Sequence, residues 1–144
     1  MRKVALVDVS KIPSYGHRRH AYNANAVLRA ASLRARQFAK IRQVGDALLN
    51  AGYVSLDEQA KALGLSRSTT WTILRANHKN SGLSAGIISR MLSAPDLPAP
   101  VRLKLYEYVE EKSAGLYGDD RIRVRKFAAR LSATLDDGSH GNTC

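Results

Sequence analysis

The stretch Leu56 to Arg75, LDEQAKALGLSRSTTWTILR, holds the residues whose types and order suggest chemistry. That chemistry is recognition, not bond-making. Arg67, Ser68, Thr69 and Thr72 offer a guanidinium and hydroxyls at the start of a short helical pattern, groups able to hydrogen-bond a polar partner. No catalytic set accompanies them. The chain has no phosphate-binding Gly loop, no metal triad and no nucleophile with a recognisable base, so it is not read as an enzyme. His17 and His20 lie three apart without Cys or further ligands, which makes a poor metal site. His78 and His140 have no evident partners. No metal, cofactor or small-molecule effector is expected.

The elements around this stretch explain why those residues are presented together. Ser55-Leu56-Asp57-Glu58 is a capping box that starts a helix. Gly64 can adopt the left-handed conformation that closes it. Ser66 caps a second helix, expected from Arg67 to about Asn77. Ala60 is small enough for two helices to approach steeply, and Leu63, Leu65, Ile73 and Leu74 can anchor both. Trp71 reads either as a partly buried packing residue or as a contact to DNA.

On these residues the chain resembles a known class. Ala60, Gly64-Leu65-Ser66, Thr69 and Ile73-Leu74 resemble the helix-turn-helix of the lac-repressor family and the wider λ-repressor-like superfamily. The C-terminal DNA-binding domain of serine recombinases is also similar. The resemblance covers about twenty residues and implies that Arg67, Ser68 and Thr72 face base edges in a major groove, with Ser66, Thr69 and Arg75 as candidates for phosphate-backbone contacts. Gln59 and Thr70 depart from it, standing where apolar residues are usual. A sugar-binding or recombinase catalytic domain does not fit in the remaining length.

Charge supports a polyanionic partner. The 144 residues carry 23 Lys+Arg against 12 Asp+Glu, net +11. Residues 1–50 hold ten basic and two acidic residues, residues 51–98 five and three, and residues 99–144 eight and seven. The excess thus lies in the first third, and DNA is the densest common polyanion. Basic candidates there are Arg18 and Arg19, on an arm that either enters a minor groove or is a disordered tail, and Arg29, Arg36 and Lys40, on one helix face that either touches phosphates or is ordinary solvated surface. The single cysteine, Cys144, suits a reducing cytoplasm. No segment reads as a signal peptide or a membrane span, so the expected location is cytoplasmic and nucleoid-associated, with no membrane partner.

The expected fold is all-α: a helical bundle of five or six helices containing a helix-turn-helix, with an extended basic N-terminal arm. The arm is placed at 1–25, with a possible short strand at Val4–Val9. The helical domain is placed at 26–135, with the helix-turn-helix at 56–75, and a disordered tail at 136–144. A helix over 26–50 turns Val27, Ala31, Phe38, Ile41 and Gly45 to one side and the basic residues to the other. Ser84 caps a helix through Leu92. Pro98 and Pro100 start another near 100–113, with Val101, Leu105, Tyr108 and Val109 on one face. A last helix, 121–135, aligns Val124, Phe127, Ala128, Leu131 and Leu135, although Arg121 to Val124 also alternates like a strand. The expected function is sequence-specific double-stranded DNA binding, as a transcriptional regulator acting as a homodimer. The alternative is a DNA-architectural or recombination accessory protein of a mobile element.

Overall fold

In the computed structural model the described backbone covers residues 14–75 and 82–142, and side chains are described for 24–75 and 82–136. The described residues form six helices and no strand: α1 Ser14–Asn50, α2 Leu56–Leu63, α3 Arg67–Leu74, α4 Ala85–Leu92, α5 Ala99–Ser113 and α6 Arg121–Asn142. The all-α class is therefore observed. Two ends differ from expectation. Helix α1 begins at Ser14 instead of near residue 26, so residues 14–25 are helical and not an extended arm. Helix α6 continues to Asn142, through most of the segment expected to be disordered. The strand considered at Val4–Val9 lies outside the described residues. Arg121 to Val124 is helical, with Asp120 Oδ1 accepting from the Arg123 N–H at 2.8 Å.

The chain divides into two compact units, residues 1–32 and 33–144. In the first, the described side chains Val27 and Leu28 are 66% and 69% exposed. Ala31 is exposed too, so the front of the apolar stripe expected on α1 is not a buried one. In the second unit α1 buries Gln37, Ile41, Val44 and Leu48, one residue per helical turn; of the expected stripe, Ile41 lies on this line and Phe38 and Gly45 are half-buried. The expected stripe included Ile41 but missed the start of this line, because it opens on a glutamine.

Around it lies a single core built from Leu63, Leu65, Ile73, Ile88, Met91, Val101, Leu105, Tyr108, Phe127 and Leu131. Helix α4 sits at its centre, packing on α2, α5 and most extensively α6. Among the described side chains of α6, Phe127 and Leu131 are the deeply buried ones; Ala128 is exposed and Leu135 is at the surface.

A polar network lies inside this core. The Tyr108 hydroxyl donates to Gln37 Oε1 at 2.7 Å and accepts the Leu83 N–H at 2.9 Å. Lys112 Nζ donates to Gln37 Oε1 at 3.2 Å and pairs with Asp119 at 2.9 Å. The same ammonium stands over the Tyr108 and Phe127 rings. Each buried polar group here has a partner, which removes most of the penalty for burying it. Burial pushes the Tyr108 hydroxyl well above its ordinary pKa, so it remains the donor that Gln37 requires.

Candidate nucleic-acid interface

Helices α2 and α3 are joined by Gly64, Leu65 and Ser66. The capping box at the start of α2 is formed: the Glu58 N–H donates to Ser55 Oγ and the Ser55 N–H to Glu58 Oε1, each at 3.1 Å. Gly64 has φ 69°, and its N–H closes α2 on the carbonyls of Ala60 and Lys61. Only glycine fits well, because a Cβ there would meet the Ala94 methyl at 3.0 Å as well as being strained. Ser66 caps α3, accepting from the Thr69 N–H at 3.2 Å. Ala60, Leu63, Leu65 and Ile73 are buried and Leu74 packs against the core, as the spacing of these residues predicts. Helix α3 ends at Leu74, short of the expected Asn77.

The two residues that depart from the apolar pattern have structural work. Gln59 is buried, and its amide donates to the Tyr53 carbonyl at 2.9 Å, tying down the turn before α2. Thr70 is fully buried, and its hydroxyl donates to the Ser66 carbonyl at 2.8 Å. Both polar atoms are satisfied locally, so each side chain can occupy an otherwise apolar position.

The opposite side of α3 is open. Arg67, Ser68 and Trp71 are exposed, and with Ser66, Thr72 and Leu56 they line one shallow depression. Trp71 is 45% exposed, so it is a surface residue on the same face as the candidate readers. Arg67 pairs with Asp57 at 3.3 Å, but the two side chains are 70% and 77% exposed. A pair that open is worth little and exchanges readily for another acceptor. The Thr72 hydroxyl donates to the Ser68 carbonyl at 3.0 Å, leaving its oxygen as an acceptor. Ser66 Oγ donates to Thr69 Oγ1 at 2.8 Å while serving as the cap. Arg75, just past the end of α3, is exposed and makes no ion pair among the described residues.

Comparison with protein-family models, with characterised proteins and with solved structures gave no match to this chain. The geometry therefore carries the functional argument by itself.

The other basic residues expected at the interface are placed differently. Arg18 and Arg19 fall in the helical part of α1, and their side chains lie outside the described residues. Arg29 is exposed in the first unit. Lys40 does not lie on a solvated basic face, because it turns toward α5, and Arg36 pairs there too with its side chain still 52% exposed. Lys40 pairs with Glu107 at 2.9 Å and with Glu111 at 3.3 Å, and only 13% of its side chain is exposed. Arg36 holds Glu111 at 3.0 Å, and the Tyr117 hydroxyl donates to the same carboxylate. Lys40 is thus committed to carboxylates and is a poor phosphate ligand.

This cluster has a pH signature. Hydrogen bonds from Lys40 and then Lys104 hold Glu107 below the usual carboxylate value. Burial pushes Glu111 up, but the hydrogen bonds from Arg36 and Lys40 outweigh it, so Glu111 also sits low. Burial pulls Lys40 down, and its two glutamates more than reverse that, so its pKa is raised. Depressed carboxylates stabilise the fold above their ordinary 4.5 and lose that contribution as pH falls through the folded values. The raised lysine contributes below 10.5 and loses its contribution as pH rises through the folded value. Lys40→Gln is therefore expected to cost about 1–3 kcal/mol at neutral pH and to make acid unfolding less steep. Urea denaturation at pH 7 and pH 3 measures both. Unaltered stability at pH 7 would contradict the pairing.

The described residues contain no group of three or more His, Cys, Asp or Glu placed to hold a metal, and no helix long and apolar enough to cross a membrane.

Proposed function

We propose that the protein binds double-stranded DNA in a sequence-specific manner, with α2 and α3 acting as a helix-turn-helix and the exposed face of α3 entering the major groove. The observation that carries this reading is the division of α3. Thr70 and Ile73 are buried against the core, while Arg67, Ser68, Trp71 and Thr72 share the open side. A recognition helix needs that division, since its inner side must fix its orientation and its outer side must reach base edges. Arg67 can grip guanine through two parallel hydrogen bonds. Thr72 offers an acceptor to a base amino group or its methyl to thymine. Ser66, Thr69 and Arg75 flank this face and suit phosphates.

The same reading includes a transcriptional-regulator role and a homodimer on two half-sites, because one module reads too few base pairs to be selective in a genome. Helix α5 suits the dimer contact, with Leu103 55% and Tyr106 51% exposed. Helix α6 suits it less well, because its outer face is densely cationic and like charges would meet across a two-fold axis.

Asp57 gives a direct test. Its carboxylate competes with DNA for Arg67 and repels phosphates. Asp57→Asn is expected to raise duplex affinity about two- to five-fold, in line with an exposed ion pair of up to about 1 kcal/mol. Fluorescence anisotropy with a duplex at fixed salt reads this. An unchanged or lower affinity, with the fold intact, would place Arg67 away from the DNA.

A further inference from the structure

We infer that the flank of α6 bearing Arg123, Lys126 and Arg130 is a second nucleic-acid surface, one that grips the sugar-phosphate backbone without reading sequence; the inference rests on the DNA-binding reading of α3 and extends it. The last third of the chain is nearly neutral by count, with eight basic and seven acidic residues, but its charges are segregated. Glu107, Glu111 and Asp119 are consumed by Arg36, Lys40, Lys104 and Lys112. The cations of α6 receive none of them. Arg121, Arg123, Arg125, Lys126 and Arg130 are all exposed, stand within ten residues with no acidic residue between them, and make no ion pair among the described residues.

Helix physics penalises this arrangement twice. Arg121 with Arg125, and Lys126 with Arg130, are like charges four residues apart, which repel across one turn. Arg121 and Arg123 also occupy the first turn, where the helix dipole favours acidic residues. An external polyanion relieves both penalties at once, whereas a merely solvated face is as well served by alternating signs.

The neighbouring surface adds no net opposing charge. Arg123, Lys126 and Arg130 form one wall of a depression whose other wall is the segment Gly82–Ala85 at the amino end of α4. Ser84 caps α4 there, accepting from the Ile87 N–H at 3.2 Å. Asp119 also lines the depression, but Lys112 neutralises it at 2.9 Å. Phosphate is the repeating anion that suits a row of cations at helical spacing, and duplex DNA presents it continuously.

The test compares the full-length protein with the triple variant Arg123→Gln, Lys126→Gln, Arg130→Gln and with the charge-matched control Arg34→Gln, Arg42→Gln, Lys61→Gln. All six positions are exposed, and thermal melting checks that each variant folds. Binding to a fixed duplex is measured across salt concentration. Each lost phosphate contact should flatten the log K against log [salt] slope by about 0.9, so the α6 variant should lose about 2–3 in slope and weaken on all sequences alike. The control should change the slope by less than about 1. Equal slopes for the two triple variants would overturn the inference, because charge would then act through the whole molecule. Steep binding whose base preference depends on Arg67 but whose slope ignores the α6 variant overturns α6 and leaves the α3 reading standing. A slope that follows α6 in a protein without base preference supports α6 and overturns the α3 reading. Loss of binding to phosphatidylserine vesicles with duplex binding unchanged would assign the surface to membranes and overturn the inference.

Discussion

Gly82→Ala is expected to remove about 3–8 kcal/mol of stability, more than a methyl group added at the other glycines of known surroundings among the described residues. Three physical effects combine. Gly82 has φ 75°, a conformation that costs a residue with a Cβ roughly 1–2 kcal/mol. The new methyl would overlap the Gln37 amide and the Tyr108 hydroxyl. Those atoms are ends of side chains, but they cannot swing aside. The Tyr108 hydroxyl is held between Gln37 and the Leu83 N–H, and Gln37 also takes a hydrogen bond from Lys112. Displacing them overpacks the core, at about 1–3 kcal/mol, and leaves a buried donor unpaired at about 1–3 kcal/mol. Against the 5–15 kcal/mol typical of a whole domain this is a large share. Gly115→Ala is the control: its φ is 77°, yet a Cβ there meets nothing within 4 Å, so only the backbone strain of about 1–2 kcal/mol remains. Urea denaturation of both variants measures the difference. Similar losses at the two positions would contradict the wedge at Gly82.

That glycine also marks where the sequence stopped being legible. Asn80-Ser81-Gly82 is readable as a chain break, but not as the site where Gln37, Tyr108 and Lys112 converge. Gln37 and Lys112 are polar residues on helices, and periodicity assigns such residues to solvent. They are buried because each satisfies another, a pairing at a separation of 75 residues that no local pattern encodes. The same blindness misplaced Arg36 and Lys40. They fell opposite an apolar stripe and read as a free basic face, while their partners sit far along the chain on α5. Local signals fared better. The capping box at Ser55, the stop at Gly64 and the cap at Ser66 act within four residues of themselves, and all three appear with the expected hydrogen bonds. The basic flank of α6 was hidden for a third reason. Summing charge over the segment cancelled its cations against acids that are spent elsewhere. The RIRVRK run at a helix start, with no acidic residue inside it, is the signal that could have revealed it.

Arg67→Ala is expected to cost about 1–3 kcal/mol on the protein's preferred duplex while leaving non-specific binding largely intact. Truncating this side chain gives up only the exposed pair with Asp57 in the free protein, so the fold should survive. On DNA it removes the two hydrogen bonds that distinguish guanine. A general loss of charge would instead weaken specific and non-specific binding together, and would be nearly matched by Lys61→Ala at another exposed site. The asymmetry between the two kinds of binding is therefore the mark of readout.

Selection from random duplexes, run in parallel on the unaltered protein and on Arg67→Ala, tests the central claim most directly. The unaltered protein should enrich two related half-sites about one helical turn apart, or a multiple of it, and the variant should lose the preference at one base position in each. Identical preferences for the two proteins would contradict base reading by Arg67, and no preference in either would leave a protein that binds DNA by its backbone or its bend alone.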